Sequence, residues 1–183
     1  MLKRSVDVVL AGFLFAVTLP VLAIAAIVIK LDSEGPVIFH QARMGRGFRR
    51  FQLLKLRTMR FCGEGSAYTL GADSRITRVG RWLRWLKFDE LPQLWNVLRG
   101  DMSIVGPRPI IVAETEKYDS DISHYYRVRP GITGLWQVSG RNDVSYAERV
   151  SMDSWYVRNW SLWHDIAIIC KTVPVVLKRS GAY

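Results

Sequence analysis

The chain has 183 residues, enough for one domain with a sizeable core, and no internal repeat or low-complexity tract divides it. Its 26 lysines and arginines against 16 acidic residues give a formal net charge of +10, which predicts an anionic partner. Seven tryptophans, and basic residues that interleave with apolar ones, favour an anionic lipid surface or a phosphorylated substrate and argue against nucleic acid.

The first segment is apolar and predicts association with a membrane. Residues 8–29 carry no charge, a run of about 22 residues that is long enough to cross a bilayer and too long for a signal peptide. Basic residues flank both ends, at positions 3–4 and from Lys30 onwards, so both ends favour the cytoplasmic side. Pro20 lies mid-run and predicts a kinked re-entrant helix, with a straight span as the alternative. Asp7 then lies near the headgroups, paired with the basic residues before it.

The next segments predict a β-hairpin. Residues 36–41 and 51–57 are β-prone, and residues 44–47 between them form a glycine-containing turn with a basic tip. Arg57 comes at the end of the second strand, where it either faces a functional site or is one more solvated cation. Residues 60–74 contain three glycines and are predicted to form a connecting loop.

A short amphipathic helix is predicted over residues 81–87. At 100° per residue its basic residues fall on one arc and its apolar residues on the other, with tryptophans among the latter. This composition is typical of a helix in a membrane interface, although an ordinary helix packed on the core shows the same periodicity. In either case the chain runs directly from it into Asp89 and Glu90.

The two adjacent carboxylates predict chemistry on a phosphate. Asp89 and Glu90 lie among basic residues, and Arg108 follows in the stiff turn formed by residues 106–109. Such a set suits a metal-assisted reaction in which a carboxylate attacks or holds the metal while arginines neutralise phosphoryl oxygens. The structural alternative is that Asp89 N-caps a helix that carries Pro92 in its first turn and stops at Gly100.

The remainder is predicted to be largely helical. Residues 110–127 are predicted as a helix, and the basic, turn-rich residues 127–134 as a phosphate-cradling loop supported by the nearby Gln137 and Arg141. Residues 146–180 are predicted as a helix interrupted at Pro174. Asp153 lies in that segment as either a buried functional carboxylate or a cap.

These residues together resemble one family. The chain resembles the monotopic phosphoglycosyl transferases, the bacterial sugar transferases that begin glycan assembly on a polyprenyl carrier. The matching stretches cover nearly the whole chain in order and are Leu-Arg-Thr-Met at 56–59, Asp-Glu-Leu-Pro-Gln-Leu at 89–94, Asn-Val-Leu-Arg-Gly-Asp-Met-Ser at 96–103, Val-Gly-Pro-Arg-Pro at 105–109, Arg-Pro-Gly-Ile-Thr-Gly at 129–134, Gln-Val-Ser-Gly-Arg at 137–141, Tyr-Val-Arg-Asn-Trp-Ser at 156–161 and the Gly-Ala-Tyr ending. The ending and residues 135–140 are most similar to members that use a hexose 1-phosphate.

The resemblance implies a mechanism. Asp89 would attack the sugar-linked phosphate of a UDP-sugar and release UMP, and undecaprenyl phosphate would then take the sugar phosphate. Asp89 and Glu90 would hold Mg²⁺, which independently prefers carboxylate and phosphate oxygens. The other residues assigned on this basis are phosphate-binding Arg57 and Arg108, and Arg129, Thr133, Gln137, Arg141 and Asp153 on the substrate side.

The expected architecture follows. It is a mainly α fold with a small β-hairpin, in a monotopic membrane protein with a kinked re-entrant helix and interfacial amphipathic helices. Residues 1–30 would form the re-entrant helix, and 31–183 a catalytic domain on the cytoplasmic face of the bacterial inner membrane, in one unit with that helix. A homodimer is left open. The family's function is the first membrane step of polysaccharide or glycoconjugate assembly.

The sequence departs from the family pattern at several positions, and two other functions are alternatives. Leu19 precedes Pro20 where the family often has serine, and Arg57 stands where lysine is common. Many hexose-using relatives carry further membrane helices and another domain before this unit. The main rival is a membrane-anchored protein that binds anionic lipid without catalysis. A hydrolase in which water replaces the lipid acceptor is the alternative within enzymes.

Overall fold

The computed structural model describes residues 2–60, 73–140 and 144–177. The first helix, α1, spans Leu2–Asp32 as one element with Pro20 inside it. It is long and apolar enough to cross a membrane, by length and composition. Most of its large apolar side chains are exposed, and only Asp7, Ala11, Ala25 and Ile29 are buried. This surface fits a membrane anchor, whereas the re-entrant kink at Pro20 stays a prediction.

Both ends of α1 are attached to the rest of the protein. Near its start, the Lys3 ammonium lies 2.7 Å from the Asp165 carboxylate, and Arg4 donates to the carbonyls of Val97 and Leu98. Asp7 does not pair with these cations as predicted. Its carboxylate instead accepts from the Ser103 hydroxyl and the Ile104 amide, because burial of a carboxylate requires fixed donors.

The predicted β-hairpin is confirmed. Strand β1 (Ile38–Met44) pairs antiparallel with β2 (Arg50–Leu56), in a register that places Ile38 opposite Leu56. A short 3₁₀ turn at Arg46–Phe48 forms the basic tip. The connector predicted for residues 60–74 lies largely outside the described residues. Leu53 and Leu56 of β2 are both buried, and because they are three residues apart they lie on opposite faces of the strand and belong to different groups of buried side chains.

Two short helices enclose the acidic pair. Helix α2 (Arg78–Trp85) confirms a helix here, but it begins before the predicted residues 81–87 and ends two residues short of them. Of the predicted apolar arc, Leu83 is buried and Trp82 is 63% exposed, and a place in the membrane interface stays a prediction. A 3₁₀ turn follows at Phe88–Glu90, and α3 (Gln93–Arg99) ends at Gly100 in a left-handed conformation. The N-cap position of α3 is Pro92, so the capping alternative for Asp89 is wrong.

The middle of the chain contains a second small sheet. Strand β3 (Ser103–Val105) pairs in parallel with β4 (Gly131–Thr133). Between them, the helix predicted over residues 110–127 is wrong in type. The chain forms a 3₁₀ segment at Val112–Asp121, broken by a positive φ at Asp119, and then the single-turn helix α4 (Ile122–Tyr125). Within this segment the buried rings of Tyr118 and Tyr125 meet edge to face.

The tail consists of helices, but its interruption was predicted at the wrong residue. After α5 (Leu135–Ser139), helix α6 (Tyr146–Arg158) is separated from α7 (Leu162–Leu177) by residues 159–161. Pro174 lies within α7. The Ser161 hydroxyl accepts from the His164 amide, a capping interaction that starts a new helix at this point.

Three groups of buried apolar side chains hold these elements together. The main group joins α1, β2, α3, β3, α6 and α7. A second group is rich in tyrosine and joins the hairpin to residues 110–126 and α6. In the third, Ala25 and Ile29 of α1 contact Leu56 and Leu83. The apolar helix is therefore packed on the remaining chain at two places along its length.

Candidate active site

Asp89 and Glu90 lie in the 3₁₀ turn between α2 and α3. Lys87 precedes the turn with a φ of 59°, a left-handed conformation that reverses the chain after α2. Asp89 is only 7% exposed, and its Oδ1 atom is buried with no hydrogen-bond partner among the described residues. A buried carboxylate oxygen without a donor is costly, which is typical of a group that waits for a ligand.

The turn is held in place by an amide side chain. Asn96 of α3 is fully buried, and its Oδ1 accepts from the backbone amide of Leu54 while its Nδ2 donates to the carbonyl of Gln52. These bonds fasten α3 to β2 through the strand backbone. Since the turn leads directly into α3, Asn96 fixes the position of the acidic pair relative to the hairpin.

Lys55 forms an ion pair with Glu90, and the sequence did not predict this contact. Its ammonium donates to Glu90 Oε1 at 3.1 Å from the middle of β2. The available signal was a single lysine between Leu54 and Leu56 in a strand with buried neighbours. No local pattern shows this contact, because the two partners are separated by 35 positions in the sequence.

The electrostatics of the two carboxylates differ. Burial is the main cause that raises the pKa of Asp89, the negative charge of Glu90 adds to it, and Lys55 opposes both. Burial would also raise the pKa of Glu90, but Lys55 and Arg108 outweigh it and hold that pKa well below its usual range. The pair therefore combines a firmly ionised Glu90 with a desolvated Asp89, and a desolvated carboxylate is the more reactive nucleophile.

A cleft opens beside Glu90, and it collects several predicted residues. Its lining includes Lys55, Glu90, Gln93, Arg108, Ile132 and Gln137. Arg108 is exposed, with its guanidinium carbon 6.0 Å from the centre of the Trp136 ring. The stiff turn thus brings this cation to Glu90, where it can meet a phosphate. Gln137 reaches the cleft too and donates to the Ile132 carbonyl.

Arg57 lies away from this cleft. It is buried, and its Nη2 donates to the Ile29 and Ser33 carbonyls at the C-terminal end of α1. A cation there complements the negative end of the helix dipole. Its Nε and Nη1 atoms are buried without a partner in the part of the chain that the structure describes. Phosphate binding by Arg57 stays a prediction.

The other predicted substrate residues are dispersed. Arg129 donates through Nε to the Gly100 carbonyl at 2.7 Å and so closes the end of α3. Thr133 shares a hydrogen bond of 2.8 Å with Thr172 of α7. Arg141 lies outside the described residues. Substrate contacts by Arg129, Thr133 and Arg141 stay predictions.

Asp153 is a deeply buried carboxyl in α6. It is 2% exposed, and its Oδ2 accepts from the Tyr118 hydroxyl at 2.8 Å. Burial raises its pKa to about 7, against the opposing effects of the Tyr118 hydrogen bond and the Arg108 charge. The charge of Arg108 therefore acts on the pKa of Asp153, although Asp153 lies in the protein interior and does not line the cleft.

The acidic pair fits Mg²⁺ by its chemistry. No group of three or more His, Cys, Asp or Glu side chains is placed to hold a metal within residues 2–60, 73–140 and 144–177. Mg²⁺ does not require one, because it keeps several waters and binds through one or two carboxylates plus substrate phosphates. The unpartnered Oδ1 of Asp89 and the adjacent Glu90 supply such a donor set.

Comparison with known proteins identifies one family and several relatives of known name. A family model described as bacterial sugar transferase matches residues 1–179. The UDP-galactose-lipid carrier transferase of Erwinia amylovora is 49% identical to this chain over its whole length, and the chain covers 42% of that protein. The undecaprenyl-phosphate galactose phosphotransferase of Salmonella typhimurium is 45% identical with the same coverage.

A third relative is shorter. The UDP-glucose:undecaprenyl-phosphate glucose-1-phosphate transferase of Caulobacter vibrioides is 49% identical over 99% of this chain and 72% of its own length. The chain thus spans less than half the length of the first two relatives and about seven tenths of the third. The whole of the present chain corresponds to one part of each of these proteins.

Proposed function

This chain belongs to the bacterial sugar transferase family, and on that premise we propose that it transfers a hexose 1-phosphate from a UDP-sugar to undecaprenyl phosphate with release of UMP. The relatives named for galactose or glucose phosphate transfer to a lipid carrier support this substrate class. The observation that carries the proposal is the desolvated Asp89, whose Oδ1 has no partner among the described residues, next to Glu90 and Lys55.

The reaction proceeds in two displacements at one phosphorus atom. A carboxylate oxygen of Asp89 bonds to the sugar-linked phosphorus, and the bond from that phosphorus to the oxygen of UMP breaks. An oxygen of undecaprenyl phosphate then bonds to the same phosphorus, and Asp89 leaves as a carboxylate. The charge stays balanced, because each step exchanges one anionic oxygen for another.

The residues around the pair have separate tasks. Glu90 and Asp89 would hold Mg²⁺, which would neutralise charge on the phosphate oxygens. Lys55 keeps Glu90 ionised, and Arg108 neutralises the departing nucleotide phosphate at the cleft. Burial of Asp89 excludes the water that would otherwise solvate the nucleophile and hydrolyse the intermediate.

The membrane arrangement that we propose is monotopic, on the cytoplasmic face of the inner membrane. Both ends of α1 contact the same body, through Lys3 at the start and through the Ile29 carbonyl at the end. A helix with its ends on opposite sides of a bilayer does not allow that. The basic flanks favour the cytoplasmic side at both ends, and Pro20 marks the place where the helix would bend and return.

The test is UMP release by detergent-solubilised protein with UDP-glucose or UDP-galactose, Mg²⁺ and undecaprenyl phosphate. We expect release to require Mg²⁺ and to be lost in Asp89→Asn, which removes the charge and keeps the shape. Glu116→Gln is the control, because Glu116 is exposed and outside the site. Intact mass of the protein with UDP-sugar alone should show a hexose phosphate adduct. Release of UDP in place of UMP refutes the mechanism.

A further inference from the structure

Two arginines act electrostatically on the acidic pair. Arg108 acts electrostatically on Glu90, from the cleft that Lys55 also lines. Arg84 instead acts on Asp89, from the last turn of α2. The reaction proposed above has two phosphate substrates that arrive from different places, one from water and one from the bilayer. The function proposed so far uses Arg108 alone of these two cations.

Arg84 is held firmly on the inner face of α2. Its Nε donates to the Thr58 hydroxyl at 2.8 Å. The helix can lie this close because of Gly80, where a Cβ would stand 2.0 Å from the Thr58 carbonyl oxygen. Arg84 follows Gly80 by four residues, one helical turn along the same face. Its two Nη groups make no hydrogen bond within the described part of the chain, so they are available to an anion.

Trp82 lies on the face of α2 roughly opposite Arg84. Trp82 is exposed, and its ring meets that of Trp85 edge to face at 5.1 Å. Leu83 packs on Ala25 and Ile29 of α1, so α2 lies alongside the apolar helix. Exposed tryptophans next to such a helix are typical of a membrane interface. Arg84 therefore belongs to a helix that packs against the apolar α1, and its charge acts on Asp89.

We propose that Arg84 binds the phosphate of the polyprenyl phosphate acceptor and directs its attacking oxygen to the phosphosugar on Asp89. This inference rests on the proposed function and assigns the acceptor side of the same site. Two Nη groups can bind two oxygens of a phosphate monoester side by side, which leaves the third oxygen to form the new bond to phosphorus. Asp89 departs as a carboxylate, and no proton is required.

The experiment separates the two displacements. Exchange of labelled UMP into UDP-sugar without lipid acceptor reports the first step, and the KM for undecaprenyl phosphate in the complete reaction reports the second. We compare Arg84→Gln with Arg81→Gln, which removes the same charge from an exposed position on α2. Both assays are run at the same pH for every variant.

We expect Arg84→Gln to raise the KM for the acceptor roughly 10- to 100-fold, the loss expected for a charge-assisted hydrogen bond, and to change exchange less than about threefold. Arg81→Gln should leave both unchanged. Arg84→Lys should recover part of the KM, because it keeps the charge without the fork. An equal loss of exchange and transfer in Arg84→Gln, with a normal unfolding temperature, overturns the assignment.

A second variant serves if Arg84→Gln does not fold. Thr58→Val keeps the side-chain shape and removes the hydroxyl that holds Arg84, and it should raise the acceptor KM with exchange retained. An unchanged KM in Thr58→Val overturns the assignment in that case. Binding to phosphatidylglycerol vesicles separates the acceptor from bulk lipid. Equal vesicle binding by Arg84→Gln and Arg81→Gln supports the acceptor role, and a specific loss in Arg84→Gln refutes it.

The same assays distinguish failure of the proposed function from failure of the Arg84 assignment. If the wild-type protein shows no exchange of UMP yet completes transfer, the covalent intermediate is wrong, and the acceptor KM still tests Arg84 in a direct displacement. If the wild-type protein transfers nothing, the proposed function itself fails. An acceptor KM that is the same in Arg84→Gln and wild type, with transfer intact, refutes Arg84 while leaving the function standing.

Discussion

Substitution of Asp153 by asparagine should change how stability depends on pH. The pKa of Asp153 is raised from 3.8 to about 7 by burial, so the folded protein holds a proton that the unfolded chain releases in this range. Its contribution to stability is complete below pH 4 and is lost as the pH rises towards 7. At 1.36 kcal/mol per pH unit this loss amounts to about 4 kcal/mol as an upper bound.

Asparagine cannot ionise and still accepts the Tyr118 hydroxyl through its amide oxygen. The variant should therefore gain stability relative to wild type between pH 5 and pH 8, equivalent to roughly 5–12 °C in unfolding temperature for a chain of this size. The assay is thermal unfolding in detergent at closely spaced pH values, with Glu116→Gln as the exposed control. Parallel curves for wild type and Asp153→Asn would refute the assignment of a protonated, buried Asp153.

Three further substitutions test the site and its support. Lys55→Gln should lower UMP release about 10- to 100-fold with an unchanged unfolding temperature, and Lys55→Arg should restore part of it; full activity in Lys55→Gln would show that the contact with Glu90 is dispensable. Arg57→Gln should lower the free energy of unfolding by about 1–3 kcal/mol through loss of its bonds to the end of α1; a normal unfolding curve with a raised substrate KM would instead support phosphate binding. Asp7→Asn should cost about 1–3 kcal/mol, measured by denaturant unfolding, because an amide replaces one acceptor of the buried Ser103 and Ile104 donors; an unchanged midpoint would contradict that estimate.

Local rules were sufficient for several elements. The β-prone runs around a glycine turn predicted the hairpin, and the 3.6-residue periodicity predicted α2, because both patterns act between neighbours in sequence. Gly100 ends α3 as expected, since glycine adopts the left-handed cap without a steric penalty. The uncharged run of α1 likewise depends on composition alone. Adjacency in sequence also placed Asp89 and Glu90 together whatever the fold.

Contacts between distant residues decided the rest. Lys55 meets Glu90 because α3 is fastened to β2 by Asn96, and no local pattern encodes that packing. Packing likewise placed Arg57 at the end of α1, where the Ile29 and Ser33 carbonyls accept from its Nη2. The sequence by itself determined the long apolar helix and the adjacency of the two carboxylates. Tertiary structure decided which cations surround the pair, because a charge acts over a few ångströms of space and not along the chain.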